Sequence, residues 1–252
     1  MQEECNKQTN FGFQSVSESE KTHLVGEVFS SVAERYDLMN DLMSFGLHRI
    51  WKKFAAMQSG LNLGDHALDV AAGSGDLAIQ FVRQVGGGGN VVLTDINQDM
   101  LELGRQNMVN HGYLNNVHYV LANAEDLPFE DEEFDCVSIS FGLRNVTRKE
   151  QALKSMRRVL KPGGKLMVLE FSEPTNPQLR RLYDQYSFKI IPKIGQWVAN
   201  DAPSYRYLVE SIRRHPNQTS LKSMIKNAGL DSVRIHNLAG GIVALHTAIR
   251  YS

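Results

Sequence analysis

Leu68-Asp-Val-Ala-Ala-Gly-Ser-Gly-Asp76 is an apolar run of strand length that closes on two glycines one residue apart. Gly73 and Gly75 lack a Cβ, so the chain can turn sharply and bring backbone N–H groups close to a ligand before the next helix begins. The spacing Gly73-x-Gly75-x-x-Ala78 also satisfies the dinucleotide fingerprint in its Gly/Ala form. Asp95 follows about 20 residues on, at the end of the next apolar run, where a carboxylate takes ribose hydroxyls. The loop therefore points to an adenosine-type cofactor, although a small glycine turn also serves tight packing.

Outward from this loop, apolar runs alternate with helical patterns. Strands are expected at 67–71, 91–94, 117–121, 134–140 and 165–171, and helices near 76–85, 97–110 and 148–160. The last helix is stopped by Lys161-Pro-Gly-Gly164. Such a rhythm is the signature of βαβ units around a parallel sheet. The four glycines at 86–89 read as a turn before the second strand, since no Lys-Ser/Thr follows as a phosphate loop requires. Upstream, Val25, Val28, Phe29, Val32, Tyr36 and Met39 recur at helical spacing, with Ile50, Trp51 and Phe54 in a second helix, giving N-terminal helices over 24–58.

Residues 1–22 read as a mobile arm and 23–252 as a single domain. The stretch 173–215 breaks the rhythm with four of the seven prolines and with seven Lys/Arg against four Asp/Glu, so it reads as an inserted helical lid or a substrate-facing surface. Residues 232–251 hold two β-type runs around Asn237-Leu-Ala-Gly-Gly241, which predicts a closing antiparallel hairpin.

Composition narrows the function classes. A chain of 252 residues with 42% hydrophobic residues has material for a sizeable core, and 27 basic against 28 acidic side chains argue against a general nucleic-acid binder. Cys5 and Cys136 form no metal-ligand spacing and no disulfide framework, so no metal is expected and a reduced compartment fits best. Neither a signal peptide nor an uninterrupted apolar run of membrane-spanning length is visible, which predicts a cytoplasmic protein able to lie against a membrane surface.

Two details tilt the cofactor from a nicotinamide towards S-adenosylmethionine. Asp69 sits inside the strand before the loop, placed to meet the positive methionine end of the cofactor; a charge in a buried strand is costly unless paired. In Asn123-Ala-Glu-Asp-Leu-Pro-Phe129, Asn123 or the backbone of Ala124 is placed to bind an adenine edge, and the 134–140 strand ends at Ser140 beside the reaction centre.

The ordered set of Asp69-x-x-x-Gly-Ser-Gly75, Asp95, Asn123-Ala124, Phe134-Asp135 and Lys161-Pro-Gly-Gly164 resembles the class I S-adenosylmethionine-dependent methyltransferases over about residues 60–175. More narrowly, Val32-Ala-x-x-Tyr36-Asp, Asn40-Asp-x-Met-Ser-Phe-Gly46, His48-Arg-x-Trp51, Ser140-Phe-Gly-Leu-Arg-Asn145, Leu169-Glu-Phe171 and Asn200-Asp-Ala-x-Ser-Tyr-Arg-Tyr-Leu208 resemble the ubiquinone/menaquinone biosynthesis C-methyltransferase family. The resemblance implies a Rossmann-like class I fold: a mostly parallel seven-stranded sheet with a C-terminal antiparallel hairpin, N-terminal helices and a helical insertion. It implies methylation of a ring carbon of a polyprenylated hydroquinone, with cofactor contacts at Ser74, Asp95, Asn123, Ala124 and Ser140. Family members commonly carry Thr where this chain has Ser74, which keeps the hydroxyl.

For the chemistry, the ring becomes a good carbon nucleophile when its hydroxyl loses a proton, so a base or a cation beside the phenolate would assist. Arg144 is the leading candidate, as an oxyanion stabiliser or as the holder of a water; the competing role is a salt bridge near Asn145. Asp201, Tyr205 and Tyr207 are candidates to hold quinol hydroxyls, the aromatics competing with a packing role. His48 is a candidate proton acceptor but reads more readily as a cap or packing residue, His246 reads as structural, and Glu170 and Asp135 as scaffold or cofactor-proximal residues. The expected partners are the quinol and a membrane surface touched weakly at its inner face, with the chain acting as a homodimer or within a quinone-biosynthesis complex. Two alternatives compete: an NAD(P)-dependent oxidoreductase, which would need a hydride constellation such as Tyr-x-x-x-Lys that is absent downstream of the fourth strand, and a non-catalytic cofactor-binding subunit.

Overall fold

Gly12 adopts φ +57°, a left-handed conformation that only glycine takes at no steric cost, and it turns the chain between β1 (Gln8–Phe11) and β2 (Gln14–Ser17). The computed structural model describes residues 7–32, 40, 41, 44, 46–190, 192, 193, 196 and 201–251; Tyr36 and Asn200 of the quoted motifs lie outside them. The two strands pair antiparallel, so the structure differs here from the expected mobile arm. Long-range contacts explain the difference: the Phe11 ring stacks on Tyr207 at 4.1 Å, and the Phe13 N–H donates to Glu210 Oε2 at 3.0 Å.

The chain continues through α1 (Glu18–Val32), α2 (His48–Gln58), β3 (His66–Val70), α3 (Asp76–Val85), β4 (Asn90–Asp95), α4 (Gln98–Asn110), β5 (Val117–Leu121) and β6 (Phe134–Ser140). It then forms α5 (Lys149–Val159), β7 (Leu160–Phe171), α6 (Pro177–Gln185), α7 (Ala202–Arg214), α8 (Gln218–Asn227), β8 (Asp231–Leu238) and β9 (Val243–Ile249). Seven strands make one sheet in the order β5-β4-β3-β6-β7-β9-β8, parallel except for the final antiparallel pairings of β9 with β7 and β8. This is the sheet and the closing hairpin that the sequence predicts. Glycines 86–88 form a short turn ahead of β4, as read from their composition.

Period-two alternation decides what each face carries. Ala67 and Cys136 pack with Trp51 and Ala55 of α2, Phe81 of α3 and Met108 of α4, whereas Leu68, Val70, Val137 and Ile139 pack with Leu153 and Met156 of α5 and Ile225 of α8. Asp69 therefore stands on the α2–α3 face, opposite Ser138 in the β3–β6 register. Order reversal at β3 and β6 leaves a crevice at their carboxyl ends, where open α/β sheets bind ligands.

Gly104 on α4 sets how closely that helix approaches the glycine loop, because a Cβ there would stand 2.7 Å from the Gly73 carbonyl oxygen. Gly104→Ala should destabilise the fold by about 1–3 kcal/mol through forced repacking. Gly87→Ala, where an added Cβ meets nothing within 4 Å, should change stability by less than about 0.5 kcal/mol. Urea denaturation of the two variants measures the contrast.

Candidate functional site

A cleft opens where β3, β4, β5 and β6 end, and α1 roofs it. Ala71 and Gly73 form one wall, Asp95, Ile96 and Asn97 the next, Ala122 to Glu125 the third, and Phe141, Gly142 and Asn145 to Thr147 the fourth. Thr22, Val25, Gly26 and Phe29 of α1 close it from above. The roof is pinned by Asn97, whose Nδ2 donates to the Gly26 carbonyl at 3.1 Å and to Ser30 Oγ at 3.0 Å, while its Oδ1 caps α4 by accepting the Asp99 and Met100 N–H groups.

Asp95 ends β4 with its carboxylate held by backbone: Oδ2 accepts the Gly73 N–H at 3.1 Å and Oδ1 the Asn97 N–H at 3.0 Å. Burial raises its pKa to about 6, against the lowering effect of those backbone donors. Ile96, next in sequence, leaves 46% of its apolar side chain exposed at the cleft, a ready platform for a flat ring. Asn123 Oδ1 is spent within its own turn, accepting the Glu125 N–H at 3.0 Å, which leaves its Nδ2 as the available donor. Ala71 and Phe141, at the ends of adjacent strands, both take positive φ (52° and 56°) although neither is glycine. Each costs about 1–2 kcal/mol, and strain of this kind gathers where backbone is shaped for a ligand.

The structure brings Gly73, Asp95, Asn123 and Ala124 together in the cleft wall. Asp69, Ser74, Gly75 and Ser140 stand behind that wall. Asp69 is buried, accepts the Ser138 hydroxyl at 2.7 Å on Oδ1, leaves Oδ2 without a hydrogen-bond partner among the described residues, and is pushed up to about 7 by desolvation. The buried Ser74 hydroxyl has no partner either. Gly75, at φ +78°, starts α3.

Two candidates for chemistry, Asp201 and Tyr205, stand away from the cleft, and a third, Arg144, is engaged in an ion pair. Asp201 caps α7 by accepting the Ser204 N–H at 3.1 Å and takes the Ser31 hydroxyl at 2.8 Å, so its carboxylate ties α1 to α7 and does not line the cleft. Tyr205 is fully buried in the apolar core and does not line the cleft. Arg144 forms the competing salt bridge: Nη1 donates to Glu170 Oε1 at 2.9 Å and to the Phe141 carbonyl, and its N–H donates to Glu170 Oε2 at 3.1 Å. It faces a second, polar cavity beside the cleft. Tyr207 lines that cavity too, and its hydroxyl donates to Asn145 Oδ1 at 3.1 Å. His48 packs at the start of α2 against Asp41, 3.0 Å away, and His246 lies on β9 against the Gln218 carbonyl, which agrees with structural roles.

Sequence reasoning missed Ile96, Asn97, Phe141, Thr147 and the α1 roof. An apolar residue directly after a strand-ending aspartate was the available signal for Ile96. The roof left none, because it depends on docking across the fold.

The cleft fits S-adenosylmethionine: an acceptor carboxylate for ribose hydroxyls, an apolar platform, an amide edge and a glycine turn without a Cβ to obstruct close approach. The family model described as the ubiE/COQ5 methyltransferase family matches residues 14–250. The chain is similar to the ubiquinone/menaquinone biosynthesis C-methyltransferase UbiE of Pectobacterium atrosepticum, 58% identical over 251 residues and all of both chains, and to the protein of that name from Proteus mirabilis at 56%, likewise end to end. Among solved structures it resembles a SAM-dependent methyltransferase from Aquifex aeolicus, with TM-score 0.62 and 18% identity over 87% of this chain and 97% of that one. A Haemonchus contortus phosphoethanolamine N-methyltransferase, solved with S-adenosylhomocysteine, matches with TM-score 0.55 and 14% identity over 79% and 52%. At such identities these structures show the fold alone. No finding favours the nicotinamide alternative.

A ribose hydroxyl placed to donate to Asp95 would find the ionised carboxylate the better acceptor. Cofactor affinity should be constant well above pH 6 and fall by up to tenfold per pH unit below it, as the carboxyl of the empty cleft, at about 6, takes up its proton. Asp95→Ala should weaken binding by about ten- to a hundredfold, as loss of a charge-assisted hydrogen bond predicts, and should flatten the pH dependence. Calorimetric titration across that range reads both effects.

Proposed function

Because the chain belongs to the ubiE/COQ5 methyltransferase family, we propose that it methylates a ring carbon of a polyprenylated hydroquinone: demethylmenaquinol, the methoxy-polyprenyl-benzoquinol of ubiquinone synthesis, or both. The observation that carries this reading is 58% identity across the full length of a relative bearing that activity in its name. When bound, S-adenosyl-L-methionine supplies a methyl group already activated on sulfonium, so the protein needs no covalent nucleophile. The work left to its own residues is to hold the cofactor through Asp95, Gly73, Asn123 and Ala124, exclude water beneath α1, and stabilise charge on the ring oxygen. Quinones extracted from methyltransferase-null cells complemented with this chain should regain the ring methyl by mass spectrometry; persistence of the demethylated precursors would refute the reading.

Arg144 stabilises the developing phenolate from the wall of the polar cavity, while Glu170 holds the guanidinium in place. Both partners are buried, so Arg144→Met alone strands a carboxylate and should cost about 3–5 kcal/mol of stability, whereas Arg144→Met with Glu170→Leu should recover most of it. The folded double variant should still bind cofactor and methylate slowly. A normal rate per folded molecule would reduce Arg144 to a structural ion pair.

A polyprenyl tail is too apolar to dissolve, so the enzyme collects its substrate at the inner face of a membrane. Among the described residues no helix is long and apolar enough to cross one. The insertion carries the means to rest on one: Leu182, Phe188 and Ile190 are exposed apolar side chains beside the exposed Phe13 of the hairpin, with Phe13 and Phe188 rings 6.2 Å apart and Arg213 and Arg214 over them. Basic side chains add about 1 kcal/mol each near anionic headgroups, so attachment is weak and salt-sensitive. Replacing Arg180, Arg181 and Lys189 by Gln should reduce co-sedimentation with anionic vesicles and raise KM for long-tailed quinols only. Equal losses on a tail-less quinol would assign these residues to the fold.

A further inference from the structure

Beneath the β1–β2 hairpin, sharing Thr147 with the cofactor cleft, lies a cavity of about 160 Å³. An engineered protein cavity of roughly 150 Å³ accommodates benzene, so there is room for one ring. Here the walls are polar: Lys21, Arg144, Lys149 and Arg214 line it with Tyr207, and no carboxylate is among the described lining residues. Lys21 lies in the first turn of α1 and Lys149 opens α5, so two helices aim their N-terminal ends, the ends that favour negative charge, at one space. Both amines converge on the carbonyl oxygen of Val146, at 2.8 Å from Lys149 and 3.4 Å from Lys21, and Val146 itself lines the cleft. Two ammonium groups on one oxygen, Lys21 buried and Lys149 half-buried, repel each other, and releasing a proton relieves that repulsion.

We propose that this cavity receives the hydroxylated edge of the quinol ring, and that the Lys21–Lys149 amine pair accepts the proton of the hydroxyl beside the carbon to be methylated. The inference rests on the hydroquinone reading above. The hydroxyl O–H bond breaks, its electron pair stays on oxygen, and the proton forms a new N–H bond on the uncharged Nζ of Lys149. When the ring carbon takes the methyl group, the S–CH3 bond breaks with its electron pair left on sulfur; the ring hydrogen then leaves as a proton, the ring oxygen regains one to restore the hydroxyl, and the Lys149 ammonium gives its own proton to water. The phenolate so formed faces the lasting charge of Arg144 and of Lys21, where a developing anion is best stabilised. The guanidinium of Arg144 serves as the cation and the amine of Lys149 as the base, which divides the labour between two side chains.

The surrounding charges agree with this division. Burial, then the charge of Lys21, brings Lys149 down to about 7, opposed by Glu170 on β7 and Glu125 after β5. Lys21 is also lowered by burial, but Glu125 and Glu18 partly restore it, which keeps the charge on Lys21 when the pair loses its proton. On the remaining sides stand Arg144, Arg214 and, beyond them, His215, held neutral by burial and by Lys149 and Arg144.

Two measurements on the full chain test the proposal. With lysines labelled at the ε carbon, one resonance should titrate near pH 7, vanish in Lys149→Met and move to higher pH in Lys21→Met. If every lysine titrates in the ordinary range, the assignment is overturned. With a tail-less demethylated quinol, the wild-type rate should rise through the same pH. Lys149→Met should lower it by about a hundredfold or more, the usual worth of a general base, with cofactor affinity unchanged. Lys149→Arg should not restore the rate, whereas a halogenated, more acidic quinol should restore it in Lys149→Met. Full activity in Lys149→Arg would mean that charge alone is needed and would sink the base. A wild-type chain that methylates no quinol removes the substrate reading and this inference together; a wild type that works beside an equally fast Lys149→Met removes only this inference.

Discussion

Buried carboxylates at the carboxyl end of a parallel sheet are the constraint around which this molecule is arranged. Asp69 and Asp95 stand in largely apolar strands, and desolvation pushes both upward, to about 7 and about 6. Neither is left to water. Asp95 rests on two backbone N–H groups, one from the glycine loop and one from the cap of α4, so the same carboxylate that awaits a ligand also fixes the loop against the next helix. Asp69 takes the Ser138 hydroxyl and feels the charge of Lys52, which is itself bonded to Asp76 at the start of α3 at 2.8 Å. The end of the sheet is thus set by hydrogen-bonded carboxylates, and the shape of the cleft by glycine and by two strained non-glycine turns.

Closure depends on contacts between distant parts of the chain. α1 is fixed to α4 through Asn97 and to α7 through Ser31 and Asp201. The hairpin is fixed to α7 through Phe11 on Tyr207 and Phe13 on Glu210. These contacts create two adjoining spaces, one suited to an adenosine-type cofactor and one lined with cations, divided by Val146, Thr147 and the Tyr207–Asn145 hydrogen bond. Methyl transfer to carbon needs a dry, aligned site and a place for the ring's proton. The geometry offers one space for each requirement.

The sheet was legible because strand runs, helical periods and glycine turns are local signals: the helix expected at 76–85 and the strand at 134–140 are found at those residues. Asp95 and Asn123 were legible because their distances from the glycine loop follow from the fold. Arg144, Asp201 and Tyr205 were harder, since each type supports both chemistry and architecture, and their surroundings come from far away in sequence: Glu170, Ser31 and the apolar core. The hairpin escaped for the same reason. Four-residue strands of mixed polarity carry little periodicity, and their order comes from partners distant in sequence such as Tyr207 and Glu210.

The central claim is that this site places a methyl group on carbon of a hydroquinone ring. Purified full-length chain, incubated with S-adenosylmethionine carrying an isotopically labelled methyl and with a demethylated quinol, tests it most directly when the product is examined by NMR. The account predicts one labelled methyl bonded to ring carbon, with the ring hydrogen at that position lost. Label found on a ring oxygen, or no label transferred by a chain that binds the cofactor, would contradict it.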